Sequence, residues 1–197
     1  MAEQSFRYFE IRNSLNALTD EQLMECYLID KNGQGAMAFD HLYFRYARRM
    51  IDFFYYSLNN NADKAKDFLH DLFLKVIENR TKFDKNCSFQ AWIYRMASNM
   101  CKNDFRSHAV HQKYLDQRLT SPESTLPDNE AEISLRTCIK SLDQDQRSLI
   151  VLRFKINLTI REMAEIYGCP EGTVKSRLFY AIKELSKLYK KQDHENQ

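Results

Sequence analysis

Residues 159–185 read TIREMAEIYGCPEGTVKSRLFYAIKEL and contain two of the four glycines and one of the three prolines in this chain of 197 residues. Thr159 and Glu162 have the spacing of a capping box, which predicts the start of a short helix. Gly168 supplies the left-handed residue that commonly ends a helix, and Pro170 stands where a first-turn proline costs no hydrogen bond. A second helix is predicted from that point. The stretch therefore predicts a helix-turn-helix.

The second predicted helix has two faces of different chemistry. One face is apolar and can pack on the first helix; it consists of Val174, Leu178, Ala181, Ile182 and Leu185. The rest of the surface carries Thr173, Lys175, Ser176, Arg177, Phe179, Tyr180 and Lys183. Rings that contact thymine methyl groups, next to polar groups for base edges and phosphates, are typical of a helix in the DNA major groove. The alternative is a basic amphipathic helix that only closes a helical bundle.

The overall composition is that of an ordinary globular protein, with 44% hydrophobic and 28% charged residues. Because the net charge is only +2, nucleic-acid binding must depend on local clusters of charge. The five cysteines lack a CxxC pair and a neighbouring His ligand pattern, so we predict no disulfide framework, no metal and no cofactor. We find no run of apolar residues long enough to span a membrane, and no apolar core of a signal peptide. We therefore expect a cytoplasmic protein without direct membrane insertion.

The N-terminal half predicts a bundle of helices. Thr19 and Gln22 mark one helix start, and a longer helix rich in aromatic residues follows from residue 36. In residues 62–78, ADKAKDFLHDLFLKVIE, apolar side chains recur every three or four positions, as in an amphipathic helix. This third helix has a polar face that is either solvated or a docking surface for a basic partner helix. That face consists of Asp63, Asp67, His70, Asp71 and Lys75.

A basic segment with aromatic and amide side chains comes next, with six Lys or Arg and two Asp between residues 85 and 118. Ser88 is predicted to cap a helix with a core face of Phe89, Ile93, Met96, Ala97 and Met100. The side chains expected opposite or at the edge of that face are Trp92, Tyr94, Arg95, Ser98, Asn99 and Lys102, and Asn103 and Arg106 extend them. Rings that stack on bases beside cations that follow the backbone are typical of single-strand binding. A core helix with an incidental charged rim is the alternative.

Residues 119–132, LTSPESTLPDNEAE, hold two prolines, four acidic residues and no basic residue, which predicts a flexible tether. Two further helices are expected after it, the second capped by Asp143. The predicted fold is therefore all-α, with two small helical domains, a flexible acidic linker and a C-terminal helix-turn-helix. The expected divisions are an arm (1–17), a first domain (18–114), the linker (115–132), a second domain (133–190) and a tail (191–197).

Three segments in this order make the chain resemble an extracytoplasmic-function (ECF) sigma factor of bacterial RNA polymerase, a member of the sigma-70 family. DFLHDLFLKV resembles the polymerase-binding helix of that family, and FDKNCSFQAWIYRMASNMCKNDFR resembles its promoter-melting segment. SLDQDQRSLIVLRF, followed by the predicted helix-turn-helix, resembles its promoter-reading fourth region. The resemblance covers residues 18–188.

The resemblance implies a role for each segment. Contacts with the clamp coiled coil of the largest polymerase subunit fall on Asp67, Leu69, His70, Asp71 and Phe73. Contacts with the single non-template strand of the minus 10 element fall on Lys85, Ser88, Trp92, Tyr94, Arg95, Asn99, Lys102, Asn103 and Arg106. Contacts with the minus 35 duplex fall on Thr173, Lys175, Ser176, Arg177, Phe179, Tyr180 and Lys183. His70 stands where the family usually has Gln, and Tyr180 where a basic residue is common.

The implied partners are core RNA polymerase, through its clamp and flap, promoter DNA, and an anti-sigma factor of a kind that is often membrane-anchored. The chain itself is then expected to catalyse no reaction. One alternative is a stand-alone helix-turn-helix regulator with an N-terminal sensing or dimerisation domain, which does not explain the basic aromatic surface of residues 92–106. A helical enzyme has the least support, because the five His form no metal-ligand or nucleophile spacing and no Gly-rich phosphate loop exists.

Overall fold

The computed structural model describes residues 15–29, 33–114 and 130–195, and every regular element within these ranges is helical. The all-α prediction is therefore confirmed. The helices are α1 (Asp20–Ile29), α2 (Gly35–Ser57), α3 (Ala62–Glu78), α4 (Phe89–Tyr114), α5 (Glu130–Ser141), α6 (Gln144–Ile150), α7 (Ile160–Tyr167) and α8 (Glu171–Glu195). A 3-10 turn (Arg80–Lys82) follows α3, and a π-helical turn (Val151–Lys155) follows α6. The predicted arm up to residue 14, and the predicted linker between residues 115 and 129, lie outside the described residues.

The chain divides into two compact units, of which the first comprises Met1–Tyr55 and Asn61–Ala97. Its core is built from aromatic rings that α2 places against the neighbouring helices. The ring centroids of Tyr43 and Phe73 are 4.7 Å apart, and those of Phe53 and Tyr94 are 5.7 Å apart at a near-perpendicular angle. Tilted and edge-to-face pairs of this kind are the favoured arrangements of aromatic side chains. Ring packing therefore joins α2 to both α3 and α4.

The second unit comprises Tyr56–Asn60 and Ser98–Gln197, and a buried arginine holds part of it together. Arg147 is 3% exposed, and its burial lowers the pKa of its guanidinium. The guanidinium donates hydrogen bonds to the backbone oxygens of Ser57 at 3.3 Å, of Leu142 at 3.2 Å and of Lys140. It also donates to Oδ1 of Asn59 at 2.6 Å. These acceptors compensate the loss of water around a buried charge.

The division between the units lies inside α4, after Ala97. The C-terminal part of α4 contacts another helix of the second unit, since Nζ of Lys102 lies 2.9 Å from a carboxylate oxygen of Asp145. At the other end of the second unit, α8 continues to Glu195, into the segment predicted as a tail (191–197). No Gly or Pro interrupts the last two turns of α8.

The helix-turn-helix forms through local contacts, as the sequence predicts. Thr159 Oγ1 accepts a hydrogen bond from the Glu162 amide at 3.2 Å, and the Thr159 amide donates to Glu162 Oε2 at 2.7 Å. Gly168 ends α7 with a φ of 60°, in the left-handed region. Met163 of α7 and Val174 of α8 are both fully buried. The reciprocal cap and the left-handed turn thus set the direction in which α8 leaves α7.

Gly168→Ala is expected to lower the free energy of unfolding by about 1–2 kcal/mol, because an alanine in the left-handed region brings its Cβ too close to the backbone. A Cβ at this position meets no other atom within 4 Å, so no further clash adds to the loss. Gly172→Ala is the matched control, since Cβ also meets nothing there and alanine favours a helix. Urea unfolding measures both variants. Equal losses of stability in the two variants would contradict the role given to the turn.

Candidate nucleic-acid interface

The second helix of the helix-turn-helix presents a mixed aromatic and basic surface to solvent. Six predicted contact residues are exposed, namely Lys175, Ser176, Arg177, Phe179, Tyr180 and Lys183, and Thr173 is half-buried. Phe179 is 63% exposed and Tyr180 is 61% exposed, and their ring centroids lie 5.6 Å apart, edge to face. Two large rings exposed side by side are typical of a surface that contacts a partner.

The opposite side of α8 explains why these residues point outward. Val174, Leu178 and Ala181 recur every three or four positions and are at most 8% exposed, so they fix the rotation of the helix. Ile182 was predicted to lie on the apolar face of this helix, but the prediction is wrong, because its side chain is 41% exposed. It lies one position beyond Ala181 and therefore about 100° further around the helix.

A second polar stripe runs along α4. Arg95, Asn99, Asn103 and Arg106 are all exposed and recur every three or four positions, so they lie on one side of the helix. Trp92 is half-buried one turn before Arg95. The stripe combines an aromatic ring, two amides and two guanidinium groups, which can stack on bases, bond their edges and contact the backbone.

The loop before α4 adds a basic group and a helix cap. Lys85 is exposed, and Ser88 Oγ accepts a hydrogen bond from the Ala91 amide at 3.1 Å, as the predicted cap requires. Trp92 packs over this loop, with its ring centroid 5.3 Å from that of Phe83 and 6.0 Å from that of Phe89. The loop and the first turn of α4 therefore form one packed unit.

Tyr94 was predicted to lie at the edge of the exposed face of α4, and this prediction is wrong. Its side chain is fully buried, edge-on to Phe53, with the guanidinium carbon of Arg49 6.0 Å from the ring centroid. Ser98 is 3% exposed and Cys101 is fully buried. These three residues recur every three or four positions, so α4 is buried on a second side that the sequence analysis did not recognise. The ring of Tyr94 belongs to the core.

Lys102 is also placed differently from the rest of the stripe. It is half-buried, and its ammonium is paired with Asp145. A cation in such a pair must exchange one anionic partner for another before it can contact a phosphate. Arg95 and Arg106 are the more accessible basic groups on this helix.

On α3 the structure separates the five predicted polymerase contacts into two groups. Asp67, His70 and Asp71 are exposed on one side of the helix. Leu69 and Phe73 are 6% and 4% exposed, so they face the core and not the surface. The prediction that Leu69 and Phe73 lie on the exposed surface of α3 is therefore wrong. The helical period turns positions 69 and 73 away from positions 67, 70 and 71.

Leu74 was missed by the sequence analysis. It is 45% exposed and follows His70 by four positions and Asp71 by three, so it lies among the acidic and polar side chains of the exposed side of α3. Its spacing from these two residues was a signal in the sequence. It was hidden because Leu74 stands in a run of apolar residues.

Helix α1 contacts the loop before α4 through two acidic residues that carried no signal in the sequence. Glu25 Oε1 lies 2.6 Å from Nζ of Lys85, and Glu21 Oε1 accepts a hydrogen bond from the Phe89 amide at 2.9 Å. The start of α1 is itself anchored, because the Asp20 carboxylate accepts hydrogen bonds from Arg45 at 2.7 Å and from the Tyr46 hydroxyl. Burial, followed by this hydrogen bond, raises the pKa of Tyr46, which keeps its proton and remains a donor.

All five cysteines lie within the described residues and none forms a disulfide; Cys101 and Cys138 are buried and Cys87 is exposed. Burial raises the pKa of the Cys138 thiol and so disfavours its reactive thiolate form.

Of the helices described above, none combines the length and the apolar character needed to cross a membrane.

Two family profiles match this chain. The profile "Sigma-70 region 2" matches residues 40–110, and the profile "Sigma-70, region 4" matches residues 138–187. The first match contains the exposed side of α3 and the stripe of α4. The second contains α7, the turn and α8 as far as residue 187.

Characterised proteins resemble the chain along most of its length. It is 27% identical to the RNA polymerase sigma-H factor of Pseudomonas aeruginosa over 186 residues, which cover 86% of this chain and 95% of that protein. It is 27% identical to the ECF RNA polymerase sigma-E factor of Escherichia coli over 177 residues, covering 82% and 92%. It is 28% identical to the ECF RNA polymerase sigma factor EcfG of Rhodopseudomonas palustris over 135 residues, covering 67% and 75%.

Two solved structures share the fold. The sigma factor RpoE of Bartonella quintana, in complex with the anti-sigma factor NepR, matches with a TM-score of 0.62 and 23% identity, covering 77% of this chain and 96% of that one. CnrH, in complex with the cytosolic domain of CnrY, matches with a TM-score of 0.62 and 19% identity, covering 86% and 96%. With both sigma-70 regions present in order and ECF sigma factors as relatives, the chain belongs to the sigma-70 family, in its ECF group, and is an RNA polymerase sigma factor.

Proposed function

We propose that this sigma factor binds core RNA polymerase through the exposed side of α3, captures the non-template strand of the minus 10 element along α4, and contacts the minus 35 duplex with α8. The first domain (18–114) carries the first two tasks, and the second domain (133–190) carries the third. The observation that carries the proposal is the exposed stripe of Arg95, Asn99, Asn103 and Arg106 on one side of α4. A regulator that only binds duplex DNA has no use for such a surface.

The chemistry of the stripe suits an unpaired strand. A base that has left the duplex exposes its ring faces and its hydrogen-bonding edge, and Trp92 and the amide of Asn99 can occupy these two positions. Arg95 and Arg106 can follow the phosphates, together with Lys85 from the loop. In this proposal the chain supplies no catalytic group, and the polymerase carries out RNA synthesis.

The outward face of α8 suits the major groove of intact duplex DNA. Phe179 can contact a thymine methyl group, while Ser176 and Lys183 reach base edges or phosphates. Lys175 is paired with Glu171 at 3.8 Å, an exposed contact that a phosphate can replace.

The side of α3 that carries Asp67, His70, Asp71 and Leu74 combines acidic groups with one exposed apolar side chain, as expected for docking a basic helical element of the polymerase clamp.

A further partner is suggested by the related structures, since RpoE of Bartonella quintana is a sigma factor held in complex with the anti-sigma factor NepR. We propose that an anti-sigma factor of this kind binds the chain and that the protein acts in the cytoplasm, where polymerase and promoter DNA are found. Gel filtration with core polymerase and transcription of a genomic fragment library test the central proposal. Co-elution and RNA starts that depend on the chain support it, and the absence of such starts contradicts it.

Asn99→Ala is expected to impair strand opening while duplex promoter binding is retained, because the lost amide contacts only an unpaired base. Permanganate reactivity of thymines around the start site measures strand opening, and a band shift at low temperature measures the closed complex. The loss should be about tenfold, the factor that corresponds to one lost base contact of about 1–2 kcal/mol. Unchanged permanganate reactivity would show that this side of α4 does not hold the strand.

A further inference from the structure

The loop and the first turn of α4, residues 84–92, are held from outside by helix α1. Glu21 and Glu25 lie four positions apart and therefore on one side of α1. Glu21 accepts from the Phe89 amide at the first residue of α4, and Glu25 pairs with Lys85 in the loop. Both ends of the segment that precedes Trp92 are thus in contact with the same side of one helix.

The contact from Glu21 is of a particular kind. The first amides of an α-helix have no acceptor within the helix, and here Ser88 satisfies the Ala91 amide while Glu21 satisfies the Phe89 amide. A carboxylate is the strongest acceptor for such an amide, because the charge also interacts with the positive end of the helix dipole. Glu21 is half-buried, whereas the Glu25 side chain is 48% exposed.

Helix α1 is fixed well enough to act as a reference for the loop. Leu23 and Met24 are fully buried, and Asp20 is held by Arg45 and Tyr46 of α2. The Phe89 ring, next to the amide that Glu21 holds, packs edge-on against Tyr46 at 5.2 Å. The position of Phe89 is therefore determined by both its backbone and its ring.

We propose that Glu21 is a positioning residue for single-strand recognition, which holds the first turn of α4 so that Trp92 and the loop keep the geometry that an unpaired base requires. The inference rests on the function proposed above for the stripe of α4. Glu21 itself does not contact DNA in this proposal, and it acts through Phe89. Glu25 has a different role, since its carboxylate pairs with Lys85 at the surface and competes with phosphate for that lysine.

The two acidic residues therefore give opposite expectations. Glu21→Met removes the acceptor but keeps the length of the side chain, and it is expected to weaken binding of a strand by about fivefold, as for the loss of a helix cap. Glu21→Gln keeps an acceptor oxygen and should restore binding close to the wild-type value. Glu25→Gln removes the negative charge that pairs with Lys85, leaves at most a neutral hydrogen bond to it, and should leave binding equal or stronger. A simple effect of negative charge near DNA predicts the same result for Glu21→Gln and Glu25→Gln as for Glu21→Met, with tighter binding in all three.

The first measurement uses the free full-length chain. Trp92 is the single tryptophan, so its emission reports on this site alone. Acrylamide quenching of Trp92 is expected to increase in Glu21→Met and to stay at the wild-type value in Glu21→Gln and Glu25→Gln. Urea unfolding of the same variants tests whether Glu21→Met is folded under the conditions used. Equal quenching in Glu21→Met and wild type, with the chain folded, overturns the inference.

The second measurement uses holoenzyme and a fork DNA that exposes the non-template strand of a promoter found in the transcription assay. If Asn99→Ala weakens binding of the fork DNA and the Glu21 and Glu25 variants follow the expected order, both proposals are supported. If Asn99→Ala weakens binding but Glu21→Met leaves it unchanged, the positioning role alone is overturned. If Asn99→Ala does not change binding, the assignment of the stripe is overturned, and the positioning role fails with it.

Discussion

Tyr94→Ala is expected to lower the free energy of unfolding by about 3–5 kcal/mol, the range for removing a large aromatic side chain from a packed core. Tyr94 is fully buried and packs edge-on against Phe53, so its truncation leaves a cavity that the rigid rings around it cannot fill. Urea unfolding followed by the emission of Trp92 measures the first unit directly, because Trp92 lies two positions away on the same helix.

Tyr180→Ala is the matched control, since it removes the same side chain from a position that is 61% exposed. Its effect on stability should stay within about 0.5 kcal/mol, as for most surface substitutions. Tyr94→Phe keeps the ring and should cost much less than Tyr94→Ala. A Tyr94→Ala variant as stable as the wild type, yet defective in strand opening, would return Tyr94 to the DNA-contacting surface.

Phe179→Ala should reduce the preference of holoenzyme for a promoter with its minus 35 element over the same promoter with that element scrambled. The expected reduction is about tenfold, or about 1.4 kcal/mol, because one apolar contact with a base edge is lost. The ring is 63% exposed, so its removal leaves no cavity and should not unfold the domain. Competition between the two duplexes at one salt concentration measures the preference, since affinity itself depends strongly on salt.

Phe154→Ala provides the control for loss of an exposed ring in the same unit, because Phe154 is 53% exposed and lies outside α8. It is expected to leave the preference between the two promoters unchanged, even if total binding falls. A preference that survives in Phe179→Ala, or that falls equally in both variants, would contradict the assignment of α8 as the helix that reads the duplex.

The surface of α3 illustrates how far a helical pattern can be interpreted. The apolar repeat correctly predicted the helix, but the resemblance assigned Leu69 and Phe73 to the polymerase-binding surface, and both are buried. Family motifs mark a segment and do not separate its core residues from its surface residues. The period of the helix does separate them, and it also places the overlooked Leu74 beside His70 and Asp71.

The α4 helix shows which features of a helix its own sequence does not reveal. Its start at Ser88 and its basic, aromatic composition were visible in the sequence, and Arg95, Asn99, Asn103 and Arg106 are exposed as expected. The burial of Tyr94 was not visible, because a helix can be covered on two sides and the number of neighbours depends on the other helices. The pairing of Lys102 with Asp145 joins residues 43 positions apart and has no local signature.

The sequence by itself determined the helix-turn-helix, the all-α fold and the outward face of α8, because caps, left-handed turns and helical periodicity act between residues only a few positions apart. Only the tertiary structure decided that Tyr94, Leu69 and Phe73 are core residues, and that Glu21 reaches the first amide of α4 across 68 positions of the chain. Such contacts depend on which helices pack together, and packing is set by the whole set of apolar faces and not by any one segment.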